Sequence, residues 1–395
     1  MASTRSAYKG PSRRLVLAFD VGTTFSGISY RYPAQVAGDA KIPTVIYYDA
    51  QGTVRAVGAE AMREGLHELV EDEGWIKLEW FKLHMRPASM VNSDIDPLTP
   101  LPAGKSVVGV FADFIRYLYD CAKEYIAKTH LSGRDLWRSV ESKIEFILAH
   151  PNGWEGTQQG QMREAAVLAG LIPDTLEGHA RVQFVPEGEA SLHFCVQSGL
   201  TVEPLKARIA HNGRCEGKGE GILIVDAGGG TIDLSAYGQR AGSKGQEFEE
   251  ISAPKCHLQG SVFVTRRARV FFENLLRGSK FMEDVDAITQ HFDRNSKLTF
   301  RNIDEPSFIK FGGLRDKDLT LGIRSGQLKL NGMSECQKLK SSADLMSSLL
   351  EIKEPFDVSK NRFCAIEELW KCLSGWMKTA VGPLNLTFRS TLTKR

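Results

Sequence analysis

Apolar residues come in short blocks at the start of the chain, and residues 14–20, 25–32 and 42–48 read as strands. A helical period takes over in 108–127, where Val110, Phe111, Phe114, Leu118, Cys121, Ala122 and Tyr125 fall on one face. Residues 144–149 are a nearly continuous apolar block that ends at Pro151, the pattern of a buried strand. Residues 157–170 return to a helix, with Thr157 placed to cap its start and Gly170 to stop it. Further helices are predicted over 187–197, crossing between two halves of the chain, and near 261–277 and 281–293. The glycine- and charge-rich stretches 206–221 and 238–247 read as exposed loops. Strands alternating with helices make this an α/β chain.

Two segments repeat each other. The first is Leu15-Val16-Leu17-Ala18-Phe19-Asp20-Val21-Gly22-Thr23-Thr24-Phe25-Ser26-Gly27, and the second is Gly221-Ile222-Leu223-Ile224-Val225-Asp226-Ala227-Gly228-Gly229-Gly230-Thr231-Ile232-Asp233-Leu234-Ser235. Each is an apolar strand, an Asp, a Gly/Thr turn and a second strand, which together read as a hairpin. Glycine lets the turn take positive φ and lets backbone N–H groups approach an anion with no Cβ in the way. An Asp at the strand end repels phosphate, but it can hold a divalent cation, or water around one, that bridges to phosphate oxygens. Two such hairpins imply a duplicated domain with a nucleotide between its halves.

Composition agrees with an ordered globular chain, at 42% hydrophobic and 25% charged residues. The 395 residues suit two lobes. A net charge of +2 gives no reason to expect nucleic acid or an anionic membrane as a partner. No apolar run approaches a membrane span, and residues 1–13 read as a flexible leader without the apolar core of a secretory signal. Seven scattered cysteines with no Cys-x-x-Cys fit a reducing cytoplasm rather than a disulfide framework or a zinc site.

With both hairpins in view, the chain resembles the actin, sugar-kinase and heat-shock ATPase superfamily. Within it the chain is most similar to the heat-shock 70 kDa protein family, in its divergent "twelve" branch with fungal relatives. Four more stretches carry the resemblance: Ile42-Pro43-Thr44-Val45-Ile46-Tyr47-Tyr48 with Ala56-Val57-Gly58; His150-Pro151-Asn152-Gly153-Trp154 through Ala169-Gly170-Leu171; Val185-Pro186-Glu187-Gly188-Glu189-Ala190-Ser191-Leu192; and Leu321-Gly322-Ile323 to Leu330, which looks like a strand pair. The resemblance implies a duplicated actin-like (RNase H-like) ATPase fold, with a first lobe over 14–200, a second over 201–332 and a nucleotide cleft between them.

The resemblance also implies a site. Asp20 and Asp226 would face each other and hold hydrated Mg2+. Gly22, Thr23, Thr24, the Gly228-Gly229-Gly230 amides, Thr231 and Asp233 would line the β- and γ-phosphates of ATP. Glu187 would order metal-bound water; its plainer reading is a carboxylate favoured at a helix N-terminus. Lys82 is the expected basic residue at the γ-phosphate, with Lys77 as the alternative and a surface lysine as the plain reading of either. Lys297 resembles the adenine-side basic residue, with its acidic partner displaced by one position. Phosphoryl transfer to water needs charge neutralisation and a placed water rather than covalent work.

Two departures stand against the family pattern. The Gly-Gly-x-x-x-x-Pro segment that closes the adenosine side is not found after Gly332, and the resemblance stops near Met333. Residues 333–395 read as an unrelated tail with no strand to finish the second sheet, either a truncated product or a divergent ending. In the chaperones a Pro and an Arg relay nucleotide state to a peptide-binding domain; here Pro151 is present, Gln159 holds the Arg position, and no such domain follows.

Other constellations are weaker. His193 and Cys195 lie two apart on a helix and do not face each other. Asp94 and Asp96 sit in a Pro-rich loop, and Asn385-Leu386-Thr387 is a glycosylation pattern without meaning in a cytoplasmic chain. The expected function is therefore a slow Mg-dependent ATPase acting as a nucleotide switch. It would be a monomeric, cytoplasmic chain whose partners are ATP, ADP and co-chaperone or client proteins. The alternatives are a non-catalytic ATP-sensing module, a small-molecule kinase of the same superfamily, and an inactive fragment.

Overall fold

A computed structural model describes residues 15–29, 41–90, 98–197, 221–239, 247–299, 306–330 and 386–390. The chain divides into two units, one of residues 1–190 with the last three residues and one of 191–392.

The first unit contains strands β1 (Val16–Val21), β2 (Phe25–Ser29), β3 (Ile42–Pro43), β4 (Val45–Tyr48), β5 (Val54–Val57), β6 (Ile76–Glu79), β7 (Glu145–His150) and β8 (Val182–Pro186). Its main sheet has the order β3-β2-β1-β7-β8, and a small sheet has the order β5-β4-β6. β1 and β2 form the antiparallel hairpin read from the first repeat, while β7 and β8 run parallel to β1. Alternation along β1 sends Leu17, Phe19 and Val21 into the core and leaves Asp20 on the other face.

Helices α1 (Leu66–Glu73), α2 (Val107–Thr129), α3 (Gly133–Val140), α4 (Thr157–Leu168), α5 (Leu176–Ala180) and α6 (Glu187–Gln197) complete this part of the chain. α2 starts where Ser106 Oγ accepts from the Gly109 amide, satisfying one of the orphan donors of the first turn. Its buried stripe of Val110, Phe111, Phe114, Leu118 and Ala122 packs with Leu17, Phe19, Phe146 and Leu148 of the sheet. Cys121 and Tyr125 lie off that stripe and are exposed; Ile115, Tyr119 and Ile126 take the buried positions instead, because the helix is covered on a wider arc than the sequence pattern implied. At α4 the cap position falls on Gly156, not Thr157, which is already helical; Gly170 does stop the helix, at φ 72°. The chain passes from the first unit to the second within α6.

The second unit contains β9 (Gly221–Ala227), β10 (Ile232–Gln239), β11 (Phe248–His257), β12 (Ser307–Lys310), β13 (Ile323–Arg324), β14 (Gln327–Leu330) and β15 (Leu386–Ser390). Its main sheet is ordered β11-β10-β9-β15, and a smaller one is ordered β12-β14-β13. Phe272, Leu276, Phe281, Ile288, Phe292, Ile309 and Leu328 pack into the core between the smaller sheet and the helices Ser261–Leu275 and Val285–His291.

Topology repeats between the units. β9 and β10 form an antiparallel hairpin like β1 and β2, and β15 pairs in parallel with β9 as β7 does with β1. This corrects the expectation that nothing after residue 333 could supply a strand. Leu386 lies in register with Leu223 and Ser390 with Ala227. A five-residue strand added to a sheet edge from far along the chain leaves little local signature, since its pairing energy comes from its neighbour. Among the described residues, no helix is long and apolar enough to cross a membrane. The expected leader 1–13, the loop 206–220, Asp94, Asp96, Asn385 and the stretch after Gly332, apart from β15, lie outside the described residues.

Candidate functional site

Parallel strands deliver side chains to one end of a sheet, and in open α/β sheets the loops beyond their carboxyl ends form the site. In the first unit that end carries Asp20 near the end of β1 with Gly22 and Thr23 just after it, Pro151 and Trp154 after β7, and Glu187 after β8. These residues are scattered along the sequence and are gathered by parallel pairing alone.

Gly22 is sterically required. A Cβ there would lie 2.4 Å from the Phe25 carbonyl oxygen. In the second hairpin a Cβ on Gly228 would lie 3.3 Å from the carbonyl of Thr231, the equivalent position, and the Gly228 amide donates to that carbonyl at 2.9 Å. Thr23 and Thr231 are buried. Thr24 accepts through its carbonyl from the Thr44 amide at 2.8 Å, which ties the first turn to the chain beyond β3.

The triple-glycine turn is clamped from behind. The amides of Gly260, Ser261 and Val262, at the start of the helix Ser261–Leu275, donate to the carbonyls of Gly230, Gly228 and Gly229 at 3.2, 3.1 and 2.9 Å. The helix thereby satisfies its own orphan donors, and the turn's carbonyls all point one way. Among the described residues, the Gly229 and Gly230 amides meet no backbone carbonyl. Consecutive free amides of this kind form an anion-binding concavity.

Lys82 lies on a short 3-10 turn, Phe81–Met85, entered through Trp80 in the left-handed region at φ 58°. Its ammonium is 2.8 Å from Glu187 Oε1, with side-chain exposures of 4% and 18%, and 5.5 Å from the centre of the buried Trp154 ring. The carboxylate and the aromatic face offset part of the cost of taking the ammonium out of water. Lys77, the alternative, is a surface residue paired with Glu79 on β6. Glu187 is the first residue of α6, so its carboxylate is also favoured by the helix dipole.

The two repeated aspartates differ in setting. Asp20 is partly exposed and pairs with Lys41 at 2.8 Å. Asp226 is buried and accepts from Ser191 Oγ at 3.3 Å, and strand register sets it directly opposite Asp233, which is 1% exposed.

Lys297 is buried in the second unit. Its ammonium donates to Ser261 Oγ at 2.7 Å and Thr265 Oγ1 at 3.0 Å and pairs with Asp293. Burial pushes the ammonium below the ordinary lysine value, and Asp293 pulls it back. Asp293 and Lys297 are separated by a π-helical turn, Phe292–Ser296. Asp293 lies within that turn and pairs with Lys297 at i,i+4 spacing, and π turns are frequent at functional sites.

At the strand end before Pro151, His150 donates from Nδ1 to the Pro151 carbonyl at 2.8 Å. With Nδ1 as the donor, Nε2 is the acceptor of the neutral ring, and Gln159 Nε2 faces it at 3.2 Å. Gln159 thus links α4 to the end of β7.

Lys41, Ser261 and Thr265 were not among the residues singled out from sequence; Trp154 and Ser191 lay in quoted stretches without a role of their own, and Asp293 is the displaced acidic partner of Lys297. Asp293 carried a sequence signal, four residues before Lys297, whereas Lys41 is brought to Asp20 by the pairing of β2 with β3.

No family model matches the chain. Human heat shock 70 kDa protein 12B is 27% identical over 285 residues, covering 56% of this chain and 40% of that protein. Mouse heat shock 70 kDa protein 12A is 23% identical over 278 residues, with 56% and 40% covered. The chain therefore matches less than half the length of these relatives. The crystal structure of MreB5 of Spiroplasma citri bound to ADP superposes with a TM-score of 0.50 at 13% identity, covering 87% of this chain and 80% of that one. The fold is that of the actin-like ATPases, and the chain is similar to the divergent twelve branch of the heat-shock 70 kDa proteins, as the resemblance carried by the hairpins and the four further stretches implied.

Proposed function

We propose that the chain binds ATP with Mg2+ through its two hairpin turns and hydrolyses it slowly, as a nucleotide-dependent switch. The observation that carries this reading is a recurrence: in both hairpins a glycine two residues after the Asp faces the carbonyl three residues on, where a Cβ would lie 2.4 Å away in the first and 3.3 Å in the second. The free amides of Gly229 and Gly230 and the buried ammonium of Lys82 supply positive potential for phosphate. Glu187, which pairs with Lys82, would orient a water. Lys297 with Ser261 would meet the adenosine side.

The donor set fits a hydrated magnesium ion. Mg2+ is bound through one or two carboxylates while keeping several waters, and the two hairpins offer one carboxylate each at equivalent positions, Asp20 and Asp226. Asp20 and Asp226 would hold that ion, which neutralises phosphate charge when bound. Adenine-nucleotide binding by MreB5 of Spiroplasma citri, crystallised with ADP, supports the choice of ligand. In this reading the protein is a cytoplasmic monomer whose nucleotide state is sensed by co-chaperone or client proteins.

A thermal melt of the full chain, with MgATP and with ATP plus chelator, tests the reading. Saturating ligand at 1,000 times its Kd stabilises the folded state by about 4 kcal/mol. Asp226→Asn should weaken the Mg-dependent shift, and an unchanged shift would remove the two-hairpin site from consideration.

A further inference from the structure

Asp20, Gly27 and Lys41 form one row across the first sheet. Asp20 on β1 is directly opposite Gly27 on β2. β2 and β3 pair Ser26 with Ile42, and the next antiparallel step sets Gly27 opposite Lys41, the residue before β3. Residues directly opposite one another present their side chains on the same face of a sheet, and here the middle member has none. The outer two strands are about 10 Å apart. The lysine stem spans that distance over Gly27 and brings Nζ to 2.8 Å from Asp20 Oδ2, at 16% and 35% exposure.

The corresponding row of the second unit runs Asp226, Asp233, Cys256. The two hairpins, alike in motif, therefore differ in charge along the row. The first pairs one carboxylate with one ammonium. The second sets two carboxylates opposite each other.

We infer that Lys41 is a resident counter-cation for Asp20, competing with a hydrated divalent ion for this carboxylate and so determining how strongly the first hairpin demands metal. The inference rests on the reading of Asp20 as a carboxylate that meets nucleotide-bound magnesium. A lysine ammonium is a compact charge with three donors, and it holds the oxygen that metal-bound water would otherwise use. Released from Asp20, the same ammonium would offer its charge to an anion at this turn, so ATP arriving without metal would still meet a positive charge there. Gly27 is a positioning residue in this arrangement, since any side chain there would stand in the path of the lysine stem.

Two measurements on the full chain test this. The first titrates manganese(II) alone and reads the free ion by electron paramagnetic resonance. Lys41→Met keeps the stem and removes the charge, and it should bind Mn2+ at least about fivefold more tightly than wild type, while Lys41→Arg matches wild type. Equal Mn2+ affinity in wild type and Lys41→Met overturns the inference. If Lys41→Met does not fold, Gly27→Val, which keeps the lysine and fills the gap it crosses, must show the same gain, and its absence overturns the inference equally. The second compares ATP affinity by calorimetry with Mg2+ and with EDTA. The ratio should be within about tenfold in wild type and at least about tenfold larger in Lys41→Met; an unchanged ratio counts against Lys41. ATP binding to neither protein would defeat the nucleotide reading, while the manganese titration still decides the role of Lys41.

Discussion

Lys82 and Glu187 stand 105 residues apart in the chain, and Nζ of one lies 2.8 Å from Oε1 of the other. Each is held by its own element, a strained 3-10 entry for the lysine and a helix N-terminus for the glutamate. Removing one partner of a buried pair leaves the other charge uncompensated, at a cost of about 3–5 kcal/mol, while removing both together can be nearly neutral. Glu187→Ala should therefore lower the urea midpoint, and Lys82→Met in the same chain should restore much of it. Glu187→Ala should also slow phosphate release more than it weakens ATP binding; equal losses would argue against a water-ordering role.

Gly260 sits where no side chain fits. A Cβ there would lie 2.6 Å from the Gly229 carbonyl oxygen and 2.7 Å from that of Gly228, both backbone atoms that cannot swing away. Gly260→Ala should destabilise the second unit by about 1–3 kcal/mol and weaken ATP binding by disturbing the triple-glycine turn. Gly160, within α4 and with open space around it, gives the opposite expectation: Gly160→Ala should stabilise by about 0.5–1 kcal/mol. Chemical denaturation of both variants checks the pair.

Gln159→Leu should cost about 1–3 kcal/mol, because His150 Nε2, on a residue 2% exposed, loses its donor. A midpoint equal to that of wild type would show that another group satisfies the imidazole.

Lys297 offers a pH test. Burial lowers its folded-state value below the ordinary 10.5, so the unfolded chain keeps this proton to higher pH than the folded one. Stability then rises with pH across the window between the lowered value and the ordinary one, by at most about 1.4 kcal/mol per pH unit. The stability of wild type relative to Lys297→Met should climb as the pH is raised into that alkaline window. A difference that stays flat up to pH ~10.5 would mean the ammonium titrates as in the unfolded chain.

The β15 strand predicts the effect of shortening the chain. A version ending at residue 385 leaves β9 without its parallel neighbour, and an uncovered strand edge invites association. Light scattering should show aggregation at concentrations where the full chain stays dispersed, together with a broader melt.

Much of the architecture was legible because it is written in local patterns. The two Asp–Gly–Thr hairpins, the α2 stripe and α6 each follow from periodicity or turn chemistry within a dozen residues; the hairpins implied a duplicated domain, and the resemblance they opened implied the actin-like fold and the β13–β14 pair. The likeness to the twelve branch was readable for the same reason.

What tertiary structure decided depends on partners far apart in sequence. Whether Lys82 or Lys77 is the buried lysine turned on Trp154 and Glu187, which parallel pairing of β7 and β8 brings to the same sheet end. Gln159 became a donor to His150 only once α4 had folded back on β7. The strand at 386–390 was invisible because five residues at a sheet edge take their stability from the neighbour they pair with. Sequence by itself determined the turns and the elements, since these are set by φ preferences and by alternation over a few residues. The tertiary structure determined which charges meet, because a charge is settled by what surrounds it in space.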